Sequence, residues 1–401
     1  MRIAEERLAR YKGMKRDFAE EEYINLQPIQ RGGILTEEAR KALLEFGDGY
    51  STCDWCPPKT ARLDMITDPP IQQFYVDLAE FLGMDVARVV TRCREAILLA
   101  FKMLGKSGDY VVMDSTAHYS SYLAAEFAEL KVKEVPSSGA PEYRLDSGAY
   151  ASKIEEVVKE TGRLPAVVML THVDYLYGNL NDAKAVAKIA KDYSVPFLLN
   201  CAYSAGVMPI DGKELGVDII TGSGHKSWAA SAPTGILAVG NSLQDKILAR
   251  SKIEGDLTKR KFGQKELGML GCTVMGAPLI TLMASFPEVV RRVERWDEEI
   301  KKIRFLVDKL ERIEGVRQIG IRPKMHTLTH METEGFFKVS ESHKRRGYFL
   351  YDELRSKKIV GIQPGLTKHF KFNTYGLSWD QINYVGDAFL EIASKYGMKV
   401  S

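Results

Sequence analysis

The feature that most constrains this chain is a series of short, almost wholly apolar segments set between amphipathic ones. Val111–Met113, Ala166–Leu170 (AVVML), Phe197–Leu199, Ile219–Thr221 and Gly235–Val239 (GILAV) are too short for buried helices. They are also too continuously apolar for strands with one wet face. Helical patterns lie between them, around Ser121–Leu130 and over Asp182–Tyr193. Strands buried on both faces and alternating with helices predict an α/β domain on a mostly parallel sheet.

The texture changes after Pro287. Glu288–Leu310 reads as one long charged amphipathic helix that links to a smaller α+β domain. In that domain Glu334–Ser340 is predicted as strand, Gly347–Arg355 as helix, His369–Asn373 as strand and Trp379–Tyr396 as the last helix. The expected organisation is an N-terminal arm over 1–45, a large domain over 46–287, and a linking helix with a small domain over 288–401. The arm is expected to pack on the large domain or on a second subunit. With 56 basic and 53 acidic residues the formal charge is +3, which excludes a global basic field. The local clusters Lys252–Lys265, Lys344–Arg346 and Lys368–Lys371 each read as solvated surface. No run of about 18 apolar residues and no signal-peptide core is present, so a cytoplasmic protein without a membrane partner is expected.

Chemistry concentrates at strand ends. Thr221-Gly-Ser-Gly-His-Lys-Ser-Trp follows a strand and carries Lys226, with Ser223 and His225 just before it as donors to a phosphate. A lysine there is costly unless its charge is removed or used, as when its amine condenses with an aldehyde. Taken alone, the string also fits a surface loop. Thr91–Leu99 (TRCREAILL) is a strand-to-helix turn whose free N–H groups and Arg94 suit an anion. His118 stands at a strand end, where it could stack on an aromatic ring or cap a helix. Asn200 ends the next strand but one.

A phosphate turn, a ring-stacking His, a strand-end Asp or Asn and then Ser-x-His-Lys, in that order, resemble fold-type I pyridoxal-phosphate (PLP) enzymes, nearest the class V aminotransferase and cysteine desulfurase branch. The resemblance implies a transferase with Lys226 as the Schiff-base lysine and Cys93, Arg94, His118, Asn200, Ser223, His225 and Lys226 as cofactor-binding residues. It also implies a large domain with a seven-stranded-type sheet plus a small C-terminal α+β domain. Most of that superfamily has Asp where Asn200 stands. A carboxylate keeps the ring nitrogen protonated and the ring a strong electron sink; an amide does not. Asn200 therefore favours β-elimination over transamination.

Longer segments narrow the match. Ile24–Ala39 (INLQPIQRGGILTEEA), Tyr50–Cys56 (YSTCDWC), Pro165–Asn181, Gly224–Gly235 and Leu270–Ala277 (LGCTVMGA) are similar to the archaeal O-phosphoseryl-tRNA:cysteinyl-tRNA synthases (SepCysS), over nearly the whole chain. One departure is that Arg92-Cys93-Arg94-Glu95-Ala96 lacks the small residue usual in that turn. The family implies tRNA-dependent cysteine biosynthesis. PLP-dependent elimination of phosphate from phosphoseryl-tRNA(Cys) is followed by addition of sulfur. Lys226 serves as base, Arg94 and His118 as holders of the leaving phosphate, and Cys53, Cys56 and Cys272 as functional cysteines. Those three fit persulfide and disulfide chemistry, and equally the ligands of an iron–sulfur cluster. No zinc set is visible around them, and no metal ligand is otherwise assigned. Cys93 and Cys201 read as small buried residues. Implied partners are phosphoseryl-tRNA(Cys), phosphoseryl-tRNA synthetase, a sulfur donor and a second copy in a homodimer. The competing readings are a cysteine desulfurase-like PLP lyase acting on a free amino acid, and a non-catalytic subunit of a tRNA-processing complex. Asn200 and the Cys-x-x-Cys ahead of the phosphate turn speak against the first, and Lys226 with its cofactor set against the second.

Overall fold

The computed structural model describes residues 9, 11–13, 22–47, 68–269 and 276–401. Its strands in chain order are β1 (Ile24–Asn25), β2 (Val86–Val90), β3 (Tyr110–Asp114), β4 (Lys131–Val135), β5 (Val167–Thr171), β6 (Phe197–Asn200), β7 (Ile219–Ser223), β8 (Gly235–Val239), β9 (Val316–Ile319), β10 (Leu328–Thr333), β11 (Ile359–Val360) and β12 (His369–Asn373). Seven form one sheet in the order β2-β8-β7-β6-β5-β3-β4. Strand β8 runs antiparallel to both neighbours; the other adjacent pairs are parallel. The apolar runs read from the sequence are thus the central strands, and every residue of β5, β6, β7 and β8 is buried.

Side-chain alternation divides the core into two layers. Val111, Met113, Val167, Met169, Leu198 and Ile219 join one cluster, with the helix Cys93–Leu104 packed on it. Val112, Val168, Leu170, Leu199 and Ile220 join the other, which continues into the small domain through Met331, Phe370 and Phe389. Parallel strands bring the C-terminal ends of β3, β5, β6 and β7 to one edge, where α/β sheets hold ligands.

The small domain has a three-stranded antiparallel sheet, β12-β10-β9. Two expectations are corrected there and at its approach. Glu334–Ser342 is a helix, and the strand precedes it as Leu328–Thr333. Its short apolar run (FFKV) fits either period; the buried pair Phe336 and Ser340, four apart, is helical spacing. The expected single helix from Glu288 is two, Gly276–Val293 and Trp296–Leu310, with the break at Glu294–Arg295 and Pro287 inside the first. The helices Tyr348–Ser356 and Trp379–Lys395 and strand β12 agree with the sequence reading.

The described part of the arm spans both parts of the molecule. Strand β1 pairs in parallel with β11 of the small domain. The helix Glu37–Glu45, N-capped by Thr36, packs on the helix Gly276–Val293. Among the described residues, no helix is long and apolar enough to cross a membrane.

Candidate active site

A cleft of about 280 Å³ opens at the C-terminal edge of the seven-stranded sheet. Cys93, Arg94, His118, Asn200, Ser223, His225 and Lys226 all line it. Residues from positions 93 to 226 meet because each ends a strand or follows closely after one. Cys53, Cys56 and Cys272 lie outside the described residues. Cys201 is fully buried beside the cleft, 3.9 Å from His172 Nδ1.

Lys226 sits in the single helical turn Gly224–Ser227 directly after β7. Its Nζ lies 4.7 Å from the centre of the Tyr203 ring. Burial pushes its pKa down, which favours the neutral, nucleophilic amine. The loop is held from below by the arm. A Cβ on Gly33 would lie 1.9 Å from the carbonyl oxygen of His225, so the chains can touch there only through glycine. Ala229 donates its amide to Gly32 O at 3.0 Å. Half-buried Arg292 clamps the same spot, donating to Ser227 O at 2.6 Å, Gly32 O at 3.0 Å and Gly206 O at 3.0 Å.

The phosphate-binding features are local. Arg92 caps the helix Cys93–Leu104 without a side-chain hydrogen bond, which leaves first-turn amides for an anion. Gly235 allows that turn to approach β8: a Cβ there would lie 2.6 Å from Cys93 N. Ser223 Oγ is buried and has no hydrogen-bond partner among the described residues. A buried hydroxyl of that kind calls for an acceptor from a ligand. His225 Nδ1 lies 3.2 Å from both the amide and the carbonyl of Thr234, which fixes its ring.

His118 accepts the Ser120 amide at Nδ1 (3.2 Å) and so caps the next helix. Its Nε2 then carries the proton. Burial first, then the cations Lys226, Lys371 and Arg94, push its pKa down to about 4, so the ring is neutral near pH 7. Its ring centre is 4.7 Å from that of Tyr175, edge to face. Asn200 Oδ1 accepts the Ala202 amide at 3.1 Å and faces the Cys93 thiol at 3.6 Å. With its oxygen engaged, the amide offers N–H groups to the cleft.

Several contributors carry no motif. Asp114 ends β3 and accepts from Thr171 N at 2.7 Å and Thr116 Oγ1 at 2.9 Å, tying two strand ends together. Tyr175, Tyr203 and Ile29 line the cleft. Strand-end position was the one signal available for Asp114; nothing in the Arg291-Arg292 pair marks Arg292.

The residues present therefore fit a phosphorylated aromatic aldehyde: an amine, a ring-contacting imidazole, a ring-nitrogen partner and a phosphate cradle. A solved apo cysteine desulfurase from Thermococcus onnurineus NA1 has the same fold, with a TM-score of 0.73 at 19% identity over 94% of this chain and 96% of that one. The fold is that of the fold-type I PLP-dependent enzymes.

The model of the family described as O-phosphoseryl-tRNA(Sec) selenium transferase, SepSecS, matches residues 71–401. The O-phospho-L-seryl-tRNA:Cys-tRNA synthase of Methanopyrus kandleri is 52% identical over 98% of this chain and 100% of its own length. The protein of that name from Methanocaldococcus jannaschii is 50% identical over 96% and 98%. A solved SepCysS–SepCysE N-terminal domain complex superposes with a TM-score of 0.88 at 48% identity, covering 97% of this chain and 99% of that one. The chain belongs to the SepSecS family, and within it to the O-phospho-L-seryl-tRNA:Cys-tRNA synthases.

Proposed function

We propose that this chain converts O-phosphoseryl-tRNA(Cys) to cysteinyl-tRNA(Cys) with PLP as cofactor, by β-elimination of phosphate and β-addition of sulfur. The observation that carries it is identity near one half, along nearly the whole chain, with relatives of that name. When bound, PLP supplies an aldehyde for amines and a conjugated ring that accepts the electron pair left at Cα.

The chain's own groups fill the remaining roles. Lys226 holds the cofactor and, once displaced by the substrate amine, takes the Cα proton; its lowered pKa suits a base. Ser223, His225 and the amides that open the helix at Cys93 hold the cofactor phosphate. His118 would lie against the ring. The N–H of Asn200 would donate to an unprotonated ring nitrogen, which would moderate the sink and favour early loss of the β-substituent. Arg94, with a planar fork matched to phosphate oxygens, and His118 hold the departing phosphate.

Sulfur comes through the cysteines. A persulfide on one of Cys53, Cys56 or Cys272 attacks Cβ through its terminal sulfur. A second thiolate then attacks the inner sulfur, forming a protein disulfide and releasing the product thiolate; a dithiol reductant returns the disulfide to thiols before the next turnover. The same three residues as iron–sulfur ligands are the second form of this proposal. Partners in this reading are phosphoseryl-tRNA synthetase, a sulfur donor and a second copy of the chain.

The test is anaerobic incubation of purified holoenzyme with phosphoseryl-tRNA(Cys) and sulfide, which adds to Cβ directly and so reads elimination and addition apart from the cysteine relay. Cysteinyl-tRNA and inorganic phosphate are expected, and recovery of intact phosphoserine overturns the reading. A Lys226→Ala variant is expected to lose the visible cofactor band of the wild type along with turnover. A Cys53→Ala, Cys56→Ala or Cys272→Ala variant with full activity on the physiological donor removes that residue from the sulfur relay.

A further inference from the structure

Beside the cleft lies a strip of rings and cations that the proposed chemistry does not use. One loop links the two. Asp174 accepts the amides of Leu176 (2.9 Å), Tyr177 (2.7 Å) and Asn179 (2.9 Å), fixing a loop that puts Tyr175 in the cleft and Tyr177 outside it. Tyr177 stacks on Tyr143 with centres 3.9 Å apart and planes 5° apart. Tyr177 also meets His330 at 5.5 Å and 21°, and His330 meets His369 at 5.5 Å.

The small sheet supplies the floor. His330 lies opposite Lys371, and Glu332 opposite His369, in the β10–β12 register. These four share one face, while Thr329, Met331, Phe370 and Phe372 are buried on the other. Lys371 Nζ donates to Tyr175 O at 3.1 Å and lies 5.0 Å from that ring. The one acid of this face, Glu332, is engaged by Arg317. Tyr143 and Tyr177 are half-buried and His369 is exposed, so the strip is open to a ligand.

Rings interleaved with cations, running away from a catalytic cleft, suit a single nucleic-acid strand: bases stack on the rings and phosphates meet the cations. We propose that this strip receives the unpaired 3′-terminal nucleotides of the tRNA that carries the reacting amino acid. The proposal rests on the reading of the cleft as acting on an aminoacylated tRNA, whose amino acid is attached to the last nucleotide of an unpaired CCA end. The occupant is argued from continuity with the cleft and from the cationic face. A purely structural seam between the two sheets would stack in the same way but would bind no RNA.

The experiment measures fluorescence anisotropy of a 5′-labelled single-stranded ribo-oligonucleotide ending in CCA, with holoenzyme. His369→Ala and Tyr177→Leu are each expected to weaken binding about fivefold or more, and Tyr177→Phe to bind as wild type does. Lys371→Met is expected to reduce the salt dependence of binding. An oligonucleotide with abasic 3′ positions is expected to bind wild type as weakly as the intact one binds the variants. In steady state on phosphoseryl-tRNA, His369→Ala is expected to raise KM about fivefold with kcat within twofold. Wild-type affinity in both His369→Ala and Tyr177→Leu overturns the proposal, as does a fall in kcat alone. If holoenzyme fails to turn over phosphoseryl-tRNA while the oligonucleotide pattern holds, the reaction assignment falls and the RNA surface stands.

Discussion

Asn200 and Asp114 end neighbouring parts of the same sheet and show how one polar atom sets chemistry or stability. The Ala202 amide occupies Asn200 Oδ1, so the side chain can only donate inward. Asn200→Asp puts an acceptor in its place and raises the proton affinity of a ring nitrogen set against it. The variant is expected to gain a transamination side reaction, read as pyridoxamine phosphate accumulating during turnover; none would show that the amide does not select the reaction. Asp114 has the opposite problem. Burial raises its pKa from 3.8 to about 6, against the pull of its hydrogen bonds. The folded protein therefore binds this proton more tightly than the unfolded chain does. Its stabilising contribution is full below about pH 4 and is lost as pH rises through about 6. Asp114→Asn, which keeps the acceptor for Thr171, is expected to flatten the fall of Tm across that window.

Among the elements, the tightest fit is between the arm and the Lys226 loop. Gly33→Ala forces a Cβ into the His225 carbonyl, so the two segments must separate. Holoenzyme reconstitution is expected to need at least tenfold more PLP, with little change in the circular dichroism of the sheet. Arg292→Met leaves three carbonyl oxygens without their charged donor. At about 1.5–3 kcal/mol for a hydrogen bond to a charged group, and allowing for water at some of them, a loss of about 3 kcal/mol is expected in urea unfolding. Neither contact was legible beforehand. Gly32-Gly33 reads as a turn, and Arg292 as one charge among many on a helix. The misassigned Glu334–Ser340 has the same origin. A four-residue stretch with three apolar positions carries too little periodicity to separate strand from helix, and the burial that decides it comes from the packing of Phe336.

For the molecule as a whole, the α/β class and its central strands were plain in the sequence, because doubly buried strands need continuous apolar runs. The residues of the cleft were legible for a related reason. Cys93, Arg94, His118, Asn200, Ser223, His225 and Lys226 each end a strand or follow one, and parallel strands carry their ends to one edge. Tyr143, Tyr177, His330 and His369 were not, since their proximity depends on how the small sheet sits on the large one. Removing residues through Gly33 is expected to leave the seven-stranded and three-stranded sheets folded but to abolish stable PLP binding, measured as loss of the visible band after gel filtration.

Strand β1 finds its partner only at Ile359–Val360. A ribosome delivers residues 24 and 25 first, yet they have nowhere to pair until most of the chain has left the exit tunnel. The glycines that brace the Lys226 loop wait with them. The large sheet can form during synthesis, but the floor of the cleft is laid after it. A nascent chain stalled before residue 359 would carry the lysine without the support that holds it.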